Sequence, residues 1–575
     1  MRHSFSILLG ILLSVCSSLP SSAQEVKRGE LFDQANYAMF IHWGLYSQLA
    51  GEWNQETKYG ASEWILRTAN INPDEYMAEA KHFNPTDFDA RSIVQLAKDA
   101  GMRYIIITSK HHDGFAMYHS KVNSFNIVDA TPFGRDPMKE LADACHEMGV
   151  GFGFYYSQYQ DWTCPGGGRG PRVNKELNPV SFDEYFRTKC VPQVEEITRN
   201  YGDIELIWFD TPGNMGRKYA EELVDIVHRN QPKALVSSRV GHNLGDYTTM
   251  GDMEVPTFKI PGLWETVDTT NDSWGFSKCD NNWKSAKQIL SNLIATVARG
   301  GTYMLNIGPD GKGNVPEAAQ RALRSAGKWI KQYPQVIYGA KPSPFTHALP
   351  WGDMVQQENK LFLAVYDWPN TGRLYIPGLR TPIISARLLD GTKGKKLSFS
   401  TEDGWTVMHI PGIQPDKLVS VIELTMKDED IVVDDTPGID PQNGMNNLST
   451  LYAKAEGTEI KINKWMDKFG EWKQTHAAKN LRGAKLVWTV DFKEAGYYHI
   501  QAGLKGNERV AIRLDSDEGE HVLNQRLADS TYDMRPIGWI KIHKPGKHTL
   551  TLTTPNGCRP ETEVNCLSIT PVLEP

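Results

Sequence analysis

The chain has 575 residues, of which 40% are hydrophobic and 23% are charged, and these fractions are typical of globular proteins. They exclude a chain that is largely disordered, collagen-like or coiled-coil. Lys and Arg total 62 against 69 for Asp and Glu, which gives a net charge of −7. This mild acidity argues against nucleic acid or an anionic membrane as the main partner, because each attracts a basic surface. The length predicts two or three domains.

The amino terminus has the pattern of a secretion signal. Arg2 and His3 precede a mostly apolar run over residues 5–16, and small residues occupy 21–23, where signal peptidase cleaves. We predict a signal peptide over residues 1–23 and an exported protein, periplasmic or extracellular. Cys16 offers the alternative of a lipid anchor at the cell surface. The apolar run is too short to span a bilayer, and no later run reaches about 18 residues, so no membrane span is predicted.

Strand-like and helix-like segments alternate from about residue 36 to residue 338. The strand-like segments are apolar at nearly every position, as parallel strands covered on both faces require. The segments between them carry helical stripes, for example Met138, Leu141 and Cys145. Repeated βα units over roughly 300 residues predict a (β/α)8 barrel. A doubly wound sheet is the alternative, but no G-x-G-x-x-G follows the first strand. The predicted strands are 37–46, 104–109, 150–157, 205–210, 234–239 and 303–307.

The pattern changes after Pro342. Residues 345–426 contain short alternating segments separated by Gly, Pro, Asn and Asp, which predicts a β-sandwich. Residues 427–446 are acidic and interrupted by Pro and Gly, which predicts a linker. Residues 447–575 again consist of strand-like segments and turns, which predicts a second β-sandwich. A catalytic barrel over residues 25–340 is therefore expected to precede two β-sandwich domains.

Polar and aromatic side chains lie at the predicted C-terminal ends of the barrel strands, where barrel enzymes place their active sites. Carboxylates and imidazoles bind hydroxyl groups, and indoles cover the apolar faces of sugar rings. From position alone, Asp210 is equally compatible with capping the turn that follows it. The side chains at these ends are His42, His111, His112, Tyr156, Trp208, Asp210 and Arg239, and Asp252, Glu254 and Glu265 follow just before the next predicted helix.

His111 and His112 raise the question of a metal site. Neighbouring residues on a strand point to opposite faces, so the pair does not readily share an ion. No H-x-H or H-E-x-x-H motif accompanies the two histidines. The sequence therefore predicts that the histidines bind hydroxyl groups, with no metal and no organic cofactor.

Six segments, in order along the chain, closely resemble glycoside hydrolase family 29, the α-L-fucosidases. The resemblance covers roughly residues 25–340. It implies an enzyme that hydrolyses terminal α-L-fucose from fucosylated oligosaccharides or glycoconjugates, with retention of anomeric configuration. Residues 447–575 more loosely resemble a carbohydrate-binding β-sandwich. The six segments are Met39–Ser47 (MFIHWGLYS), Ser62–Ile65 (SEWI), Lys110–Phe115 (KHHDGF), Trp208–Asp210 (WFD), Trp264–Gly275 (WETVDTTNDSWG) and Tyr303–Gly308 (YMLNIG).

The resemblance also implies roles for individual residues. Asp210 matches the family's nucleophile. Family members place the acid/base at different positions, and both Glu265 and Glu254 are candidates here. Glu265 is preferred because the adjacent Trp264 would raise its pKa by desolvation. The implied substrate-binding residues are hydroxyl ligands, charged hydrogen-bond partners and ring-lining indoles: His42, His111, His112 and Tyr156; Glu63 and Arg239; Trp64 and Trp208.

Two other classes of function are weighed against this one. A non-catalytic glycan-binding protein could use the β-domains on a decayed barrel, but the carboxylates Asp210, Glu254 and Glu265 argue against decay. A metal-dependent barrel hydrolase would use His111 and His112.

Overall fold

The computed structural model describes residues 28–168, 180–391, 393–467 and 470–574. The predicted signal peptide and Cys16 lie outside the described residues. In the described ranges, no helix is both long enough and apolar enough to cross a membrane.

Eight parallel strands form the sheet of the first domain. They pair in the order β7-β6-β5-β4-β1-β10-β9-β8, and a bridge between Ser237 and Tyr247 joins the two edge strands β7 and β8. The sheet therefore curls round on itself, and the (β/α)8 prediction is confirmed. The strands are β1 Tyr37–Ile41, β4 Tyr104–Lys110, β5 Gly151–Tyr156, β6 Leu206–Phe209, β7 Leu235–Val236, β8 Thr248–Thr249, β9 Trp264–Thr269 and β10 Thr302–Ile307, with a short hairpin of β2 Glu52–Trp53 and β3 Glu56–Thr57 after β1.

Helices cover the outside of this sheet, and several begin where the sequence supplies a cap. The side chains of Asp89, Asp136 and Ser285 each accept a backbone N–H of the first helical turn. The helices are α1 Glu30–Ala35, α2 Tyr46–Leu49, α3 Ile65–Thr68, α4 Pro73–Ala78, α5 Ala90–Ala100, α6 Pro137–Met148, α7 Phe182–Tyr185, α8 Val191–Arg199, α9 Arg217–Asn230, α10 Ala286–Ala298 and α11 Glu317–Gln332.

Strands β8 and β9 were not among the predicted strands. Four of the six residues in the β9 sequence, WETVDT, are polar, yet every residue of the strand is buried. Its polar side chains find internal partners, such as the Tyr303 hydroxyl, which donates to Asp268 Oδ2 at 2.6 Å. Glu265 is therefore the second residue of a strand and pairs with Thr302 at the start of β10. The expectation that Glu265 lies just before a helix, beside the strand-end residues, is wrong.

The second domain is a seven-stranded antiparallel sheet with the order β11-β12-β17-β14-β15-β16-β13. Its core contains Leu363, Ile376, Met408 and Ile422. The strands are β11 Gly352–Gln357, β12 Lys360–Val365, β13 Arg373–Ile376, β14 Ile383–Asp390, β15 Lys393–Glu402, β16 Trp405–His409 and β17 Ser420–Met426.

The third domain packs two mainly antiparallel sheets on a common core that includes the fully buried Trp488. One sheet has the order β18-β23-β28-β25-β26, with β20 beside β23, and the other has the order β21-β22-β29-β24-β27, with β19 beside β29. The strands are β18 Gly438–Ile439, β19 Asn446–Ser449, β20 Lys454–Glu456, β21 Ile460–Met466, β22 Trp472–Lys479, β23 Lys485–Phe492, β24 Gly496–Lys505, β25 Glu508–Ser516, β26 His521–Ala528, β27 Asp533–Ile542, β28 Gly546–Thr553 and β29 Glu563–Val572.

The predicted linker, residues 427–446, is an ordered part of the structure. Asp434 forms ion pairs with Arg380 of the second domain at 2.6 Å and with Lys547 of the third domain at 2.7 Å. The segment also contains β18, which pairs with β23. It therefore connects the two β-domains through charge and backbone contacts.

Candidate active site

Asp210 follows directly after β6, at the C-terminal end of the barrel. Its Oδ2 accepts a hydrogen bond from the Tyr155 hydroxyl at 2.9 Å and lies 3.4 Å from His112 Nε2. Its Oδ1 accepts from Arg239 Nη1 at 3.0 Å. The backbone N–H of Asp210 donates to Gln158 Oε1 at 2.9 Å. These four groups fix the position of the carboxylate.

The charges around Asp210 keep it ionised. Burial by itself would raise the pKa of this carboxyl, but the hydrogen bond from His112 and the positive charge of Arg239 outweigh burial and hold the pKa well below its usual range. The side chain of Asp210 remains 11% exposed. An ionised carboxylate with a partly open face is what a nucleophile requires.

Three histidines lie next to this carboxylate. His42 Nδ1 is 2.8 Å from Asn306 Oδ1, and burial lowers the pKa of His42 to about 4. The ring of His111 stacks on Tyr155 with centroids 5.3 Å apart, and lies 4.3 Å from the ring of His112. In the described part of the chain, the buried Nδ1 of His111 has no hydrogen-bond partner. A neutral imidazole with an unpaired nitrogen is suited to binding a hydroxyl group.

Indole rings form the walls of the same region. Trp64 lies edge-on to His112 with centroids 5.3 Å apart, and contacts Trp162 at 4.9 Å. The Arg239 guanidinium lies 4.6 Å from the centroid of the Trp208 ring. Trp64 and Trp208 were predicted to line the sugar ring, whereas Trp162, which lies in a loop, was not among the predicted substrate-binding residues. Aromatic faces beside imidazoles and carboxylates give a surface that is complementary to a sugar with one apolar face.

Tyr155, and not Tyr156, is the tyrosine of this cluster. The Tyr155 hydroxyl donates to Asp210, whereas the Tyr156 hydroxyl donates to Gln193 Oε1 at 2.9 Å, behind the sheet. The ring of Tyr156 lies 4.8 Å from Lys110 Nζ. Successive residues of a strand point to opposite faces, so adjacent tyrosines cannot both face the barrel interior. This corrects the expectation that Tyr156 binds a sugar hydroxyl.

The two tyrosines provide a matched test. Tyr155→Phe removes a donor that stabilises the ionised form of Asp210, so the pKa of Asp210 should rise. A hydrogen bond to a charged group contributes about 1.5–3 kcal/mol, so the acidic limb of the kcat/KM profile should move to higher pH by about one to two units. Tyr156→Phe should leave that limb in place. Equal shifts in both variants, measured from about pH 3 to pH 7, would contradict the placement of Tyr155.

Glu63 is a second buried carboxyl group at the site. Its Oε2 accepts the backbone N–H of Gly275 at 2.9 Å. Burial raises the pKa of Glu63 to about 7, and the nearby charges of Asp252 and Asp210 add to the effect. Its neighbour Trp64 lies edge-on to His112, which places Glu63 in the region of the site.

Glu265 lies inside the barrel below the indole of Trp208. Its Oε1 accepts from Trp208 Nε1 at 2.5 Å and from the Thr249 hydroxyl at 3.0 Å, and the residue is fully buried. Burial raises the pKa of Glu265 to about 7. This carboxyl group is suited to holding a proton. Its contacts, however, place it beneath Trp208 and not at the opening of the barrel.

Glu254 lies under the loop after β8. It is 2% exposed, and its Oε2 accepts the backbone N–H of Gly251 at 2.7 Å. Lys464 of the third domain lies 3.4 Å from the same oxygen. The structure therefore gives Glu254 partners in its own loop and in another domain. The assignment of the acid/base to Glu265 or Glu254 stays a prediction.

Asp252 is the carboxylate that the structure brings next to Asp210. One guanidinium, that of Arg239, donates from Nη1 to Asp210 and from Nη2 to Asp252 Oδ1. The Asp252 side chain is 28% exposed, more than that of Asp210. In the sequence, Asp252 lies two residues before Glu254, and only the glutamate was chosen there. Arg239 follows β7 and Asp252 follows β8, so the two residues could have been paired from the sequence if β8 had been predicted.

Residues suited to holding a metal ion do not cluster in the described ranges: no group of three His, Cys, Asp or Glu side chains has the necessary arrangement. His112 Nδ1 is 2.6 Å from the Ser157 hydroxyl, and its Nε2 faces Asp210. Both nitrogens of this histidine thus contact protein groups.

Comparison with known proteins gives consistent matches. A family model described as α-L-fucosidase matches residues 17–335. The tissue α-L-fucosidase of Rattus norvegicus is 25% identical over 406 residues, which is 66% of this chain and 84% of that protein. The plasma α-L-fucosidase of Homo sapiens is 26% identical over 421 residues, which is 69% of this chain and 86% of that protein.

Solved structures extend the likeness beyond the barrel. The crystal structure of an α-L-fucosidase from Vibrio sp. strain EJY3 is 28% identical with a TM-score of 0.79, and the match covers 94% of this chain and 97% of that one. An α-L-fucosidase from Lactobacillus casei, in complex with α-L-fucose product, is 44% identical with a TM-score of 0.50, over 53% of this chain and 98% of that one. With the family model spanning more than half of its length, the chain belongs to the α-L-fucosidase family.

Proposed function

We propose that this α-L-fucosidase acts on terminal fucose and retains the anomeric configuration, with Asp210 as the nucleophile. The observation that carries the proposal is the environment of Asp210, where His112 and Arg239 keep a buried carboxylate ionised at the barrel end. The surrounding imidazoles and indoles supply the hydroxyl-binding and ring-covering groups that recognition of a deoxysugar requires. The α-L-fucose product named for the Lactobacillus casei structure agrees with this substrate.

The proposed reaction has two displacements. In the first, Asp210 attacks the anomeric carbon, the glycosidic C–O bond breaks, and the leaving oxygen takes a proton from a carboxylic acid. In the second, the resulting carboxylate takes a proton from water, and the water oxygen displaces Asp210 from the sugar. Two carboxyl groups about 5–5.5 Å apart suit this chemistry, because no water has to fit between them in the first step.

We further propose Asp252 as the acid/base. It shares Arg239 with Asp210, and its partial exposure lets it reach the oxygen of a leaving group at the opening. Glu63 is the competing candidate, because the raised pKa suits an acid and because its charge is coupled to both aspartates. Glu265 and Glu254 are less suited, since each carboxyl is enclosed by protein groups.

The test compares Asp252→Asn with Glu63→Gln, Glu265→Gln and Glu254→Gln on two substrates. The variant that lacks the acid should lose on the order of 10²–10⁴ in kcat/KM on an unactivated fucosyl disaccharide, and far less on a 4-nitrophenyl fucoside, whose leaving group needs little protonation. Wild-type enzyme should release the α-anomer first, as followed by NMR. First release of the β-anomer would refute retention, and a uniform loss on both substrates would refute Asp252 as the acid.

The substrates and location complete the proposal. We infer fucosylated oligosaccharides or glycoconjugates as substrates, because the family model and the matching relatives are α-L-fucosidases.

The proposal that the protein is exported rests on the N-terminal signal pattern of residues 1–23. N-terminal sequencing of the exported protein tests it, since the mature chain should begin at Gln24.

A further inference from the structure

A hairpin of the third domain contacts the barrel loop that carries Asp252. The hairpin comprises β21 and β22, and the loop comprises residues 250–258. The backbone N–H of Trp472 donates to the carbonyl oxygen of Asp252 at 2.7 Å. Further along β22, the His476 ring lies edge-on to Phe258 with centroids 4.5 Å apart. Residues more than 200 positions apart in sequence thus meet beside the active site.

Gly251 allows this close approach. A Cβ atom at this position would lie 2.4 Å from Cβ of Trp472 and 2.7 Å from its Cγ. The hairpin therefore packs directly on the backbone of the residue before Asp252. On its other side, the Asp252 carboxylate contacts Arg239. The loop is held between the barrel and the third domain.

The contact also contains a charge that the barrel loop does not neutralise by itself. Glu254 is 2% exposed, and in the described part of the chain its Oε1 has no hydrogen-bond partner. Lys464 of β21 places Nζ 3.4 Å from Glu254 Oε2, across 210 residues of sequence. Removing this ammonium group would take a counterion away from a buried carboxylate, which destabilises the carboxylate in that position. Lys464 is thus expected to hold the loop in place as well as to neutralise the Glu254 carboxylate.

We propose that the β21–β22 hairpin positions Asp252 for catalysis, so that the third domain is part of the catalytic unit and not an independent sugar-binding module. The proposal rests on the proposed function, in which Asp252 is the acid/base. Lys464 and Trp472 are positioning residues, because they act through the loop and not on the sugar. Weakening their contacts should misplace Asp252 more than Asp210, because Tyr155, His112 and Gln158 hold Asp210 independently of Asp252.

The experiment uses the full chain and the variant Lys464→Met. On an unactivated fucosyl disaccharide we expect kcat/KM to fall about 10-fold or more, because protonation of the leaving group depends on Asp252. On a 4-nitrophenyl fucoside the loss should be under about threefold, since that leaving group needs little protonation. Lys464→Arg should restore most of the disaccharide activity by keeping a cation beside Glu254. Lys461→Met is the matched control: Lys461 lies on the same strand, is 67% exposed and pairs with Glu459.

A double variant isolates the ion pair. In Glu254→Gln the buried charge is gone, so adding Lys464→Met should have little further effect on the ratio of the two activities. Equal loss on both substrates in Lys464→Met, in proportion to a lower melting temperature, would show a structural role only and overturn the proposal. An unchanged ratio would also overturn it. Failure of the proposed function is distinguishable, because wild-type enzyme would then give the β-anomer first or Asp252→Asn would show no leaving-group dependence.

Discussion

Replacing Asp210 by asparagine is expected to lower kcat/KM on a 4-nitrophenyl α-L-fucoside by on the order of 10⁴-fold or more, because a carboxamide cannot form the covalent sugar ester. Fucose should still bind, since asparagine preserves the shape of the side chain and His42, His111 and Trp64 are untouched. Steady-state kinetics and direct titration with fucose measure the two effects separately. Loss of both activity and binding would indicate a general disturbance of the site.

Two further variants sharpen this test. Asp203→Asn is the matched control, because Asp203 is exposed before the start of the same strand and should keep full activity. Asp210→Gly leaves room for azide, which should attack from the vacated face and give the β-configured fucosyl azide. Turnover of Asp210→Asn within about tenfold of wild type would refute Asp210 as the nucleophile.

Replacing Asp161 by asparagine is expected to destabilise the barrel strongly. Asp161 Oδ2 lies 3.3 Å from Lys110 Nζ and 2.7 Å from Lys189 Nζ, and none of the three side chains is more than 4% exposed. Burial would raise the pKa of Asp161, but the two lysines outweigh it and keep the carboxylate charged. Asparagine would leave two buried ammonium groups without a counterion. A loss of about 3–5 kcal/mol in unfolding free energy follows.

Thermal and urea unfolding of the full chain, followed by activity and tryptophan fluorescence, measures this loss. The double variant Asp161→Asn with Lys189→Met should recover part of the stability, because only one unpaired lysine remains. Glu221→Gln is the control: its ion pair with Arg217 is about half exposed and should contribute less than about 0.5 kcal/mol. A melting temperature for Asp161→Asn that equals that of Glu221→Gln would refute the structural role of the buried charges.

The barrel and the nucleophile could be predicted from the sequence because each has a local signal. Runs of apolar residues identified six strands, and Asp210 follows one of them directly. The strands that were missed, β8 and β9, are short or carry polar side chains whose partners lie elsewhere in the chain. Hydropathy cannot reveal such strands, because the hydrogen bonds that satisfy Asp268 exist only in the folded protein.

The remaining errors have two physical causes. Tyr155 and Tyr156 differ by one position, and the choice between them depends on which face of β5 is inside the barrel; both residues lie in an apolar segment that gives no alternation to decide it. Asp252 was passed over because its importance comes from Arg239 on one side and from Trp472 on the other. A contact with a residue more than 200 positions further along the chain cannot be predicted from the local sequence pattern.

The barrel sheet has its shortest strands at the point where it closes. Strands β7 and β8 have two residues each, and the Ser237–Tyr247 bridge closes the sheet between them. Fewer ladder hydrogen bonds mean that thermal opening of the barrel should begin along this seam. Arg239 and Asp252 are located there too, so the ion pair between them lies beside the strands with the fewest ladder hydrogen bonds. Local opening at this seam is therefore expected to separate Arg239 from Asp252 before it reaches β1 and β4, the strands farthest from the seam in the sheet order.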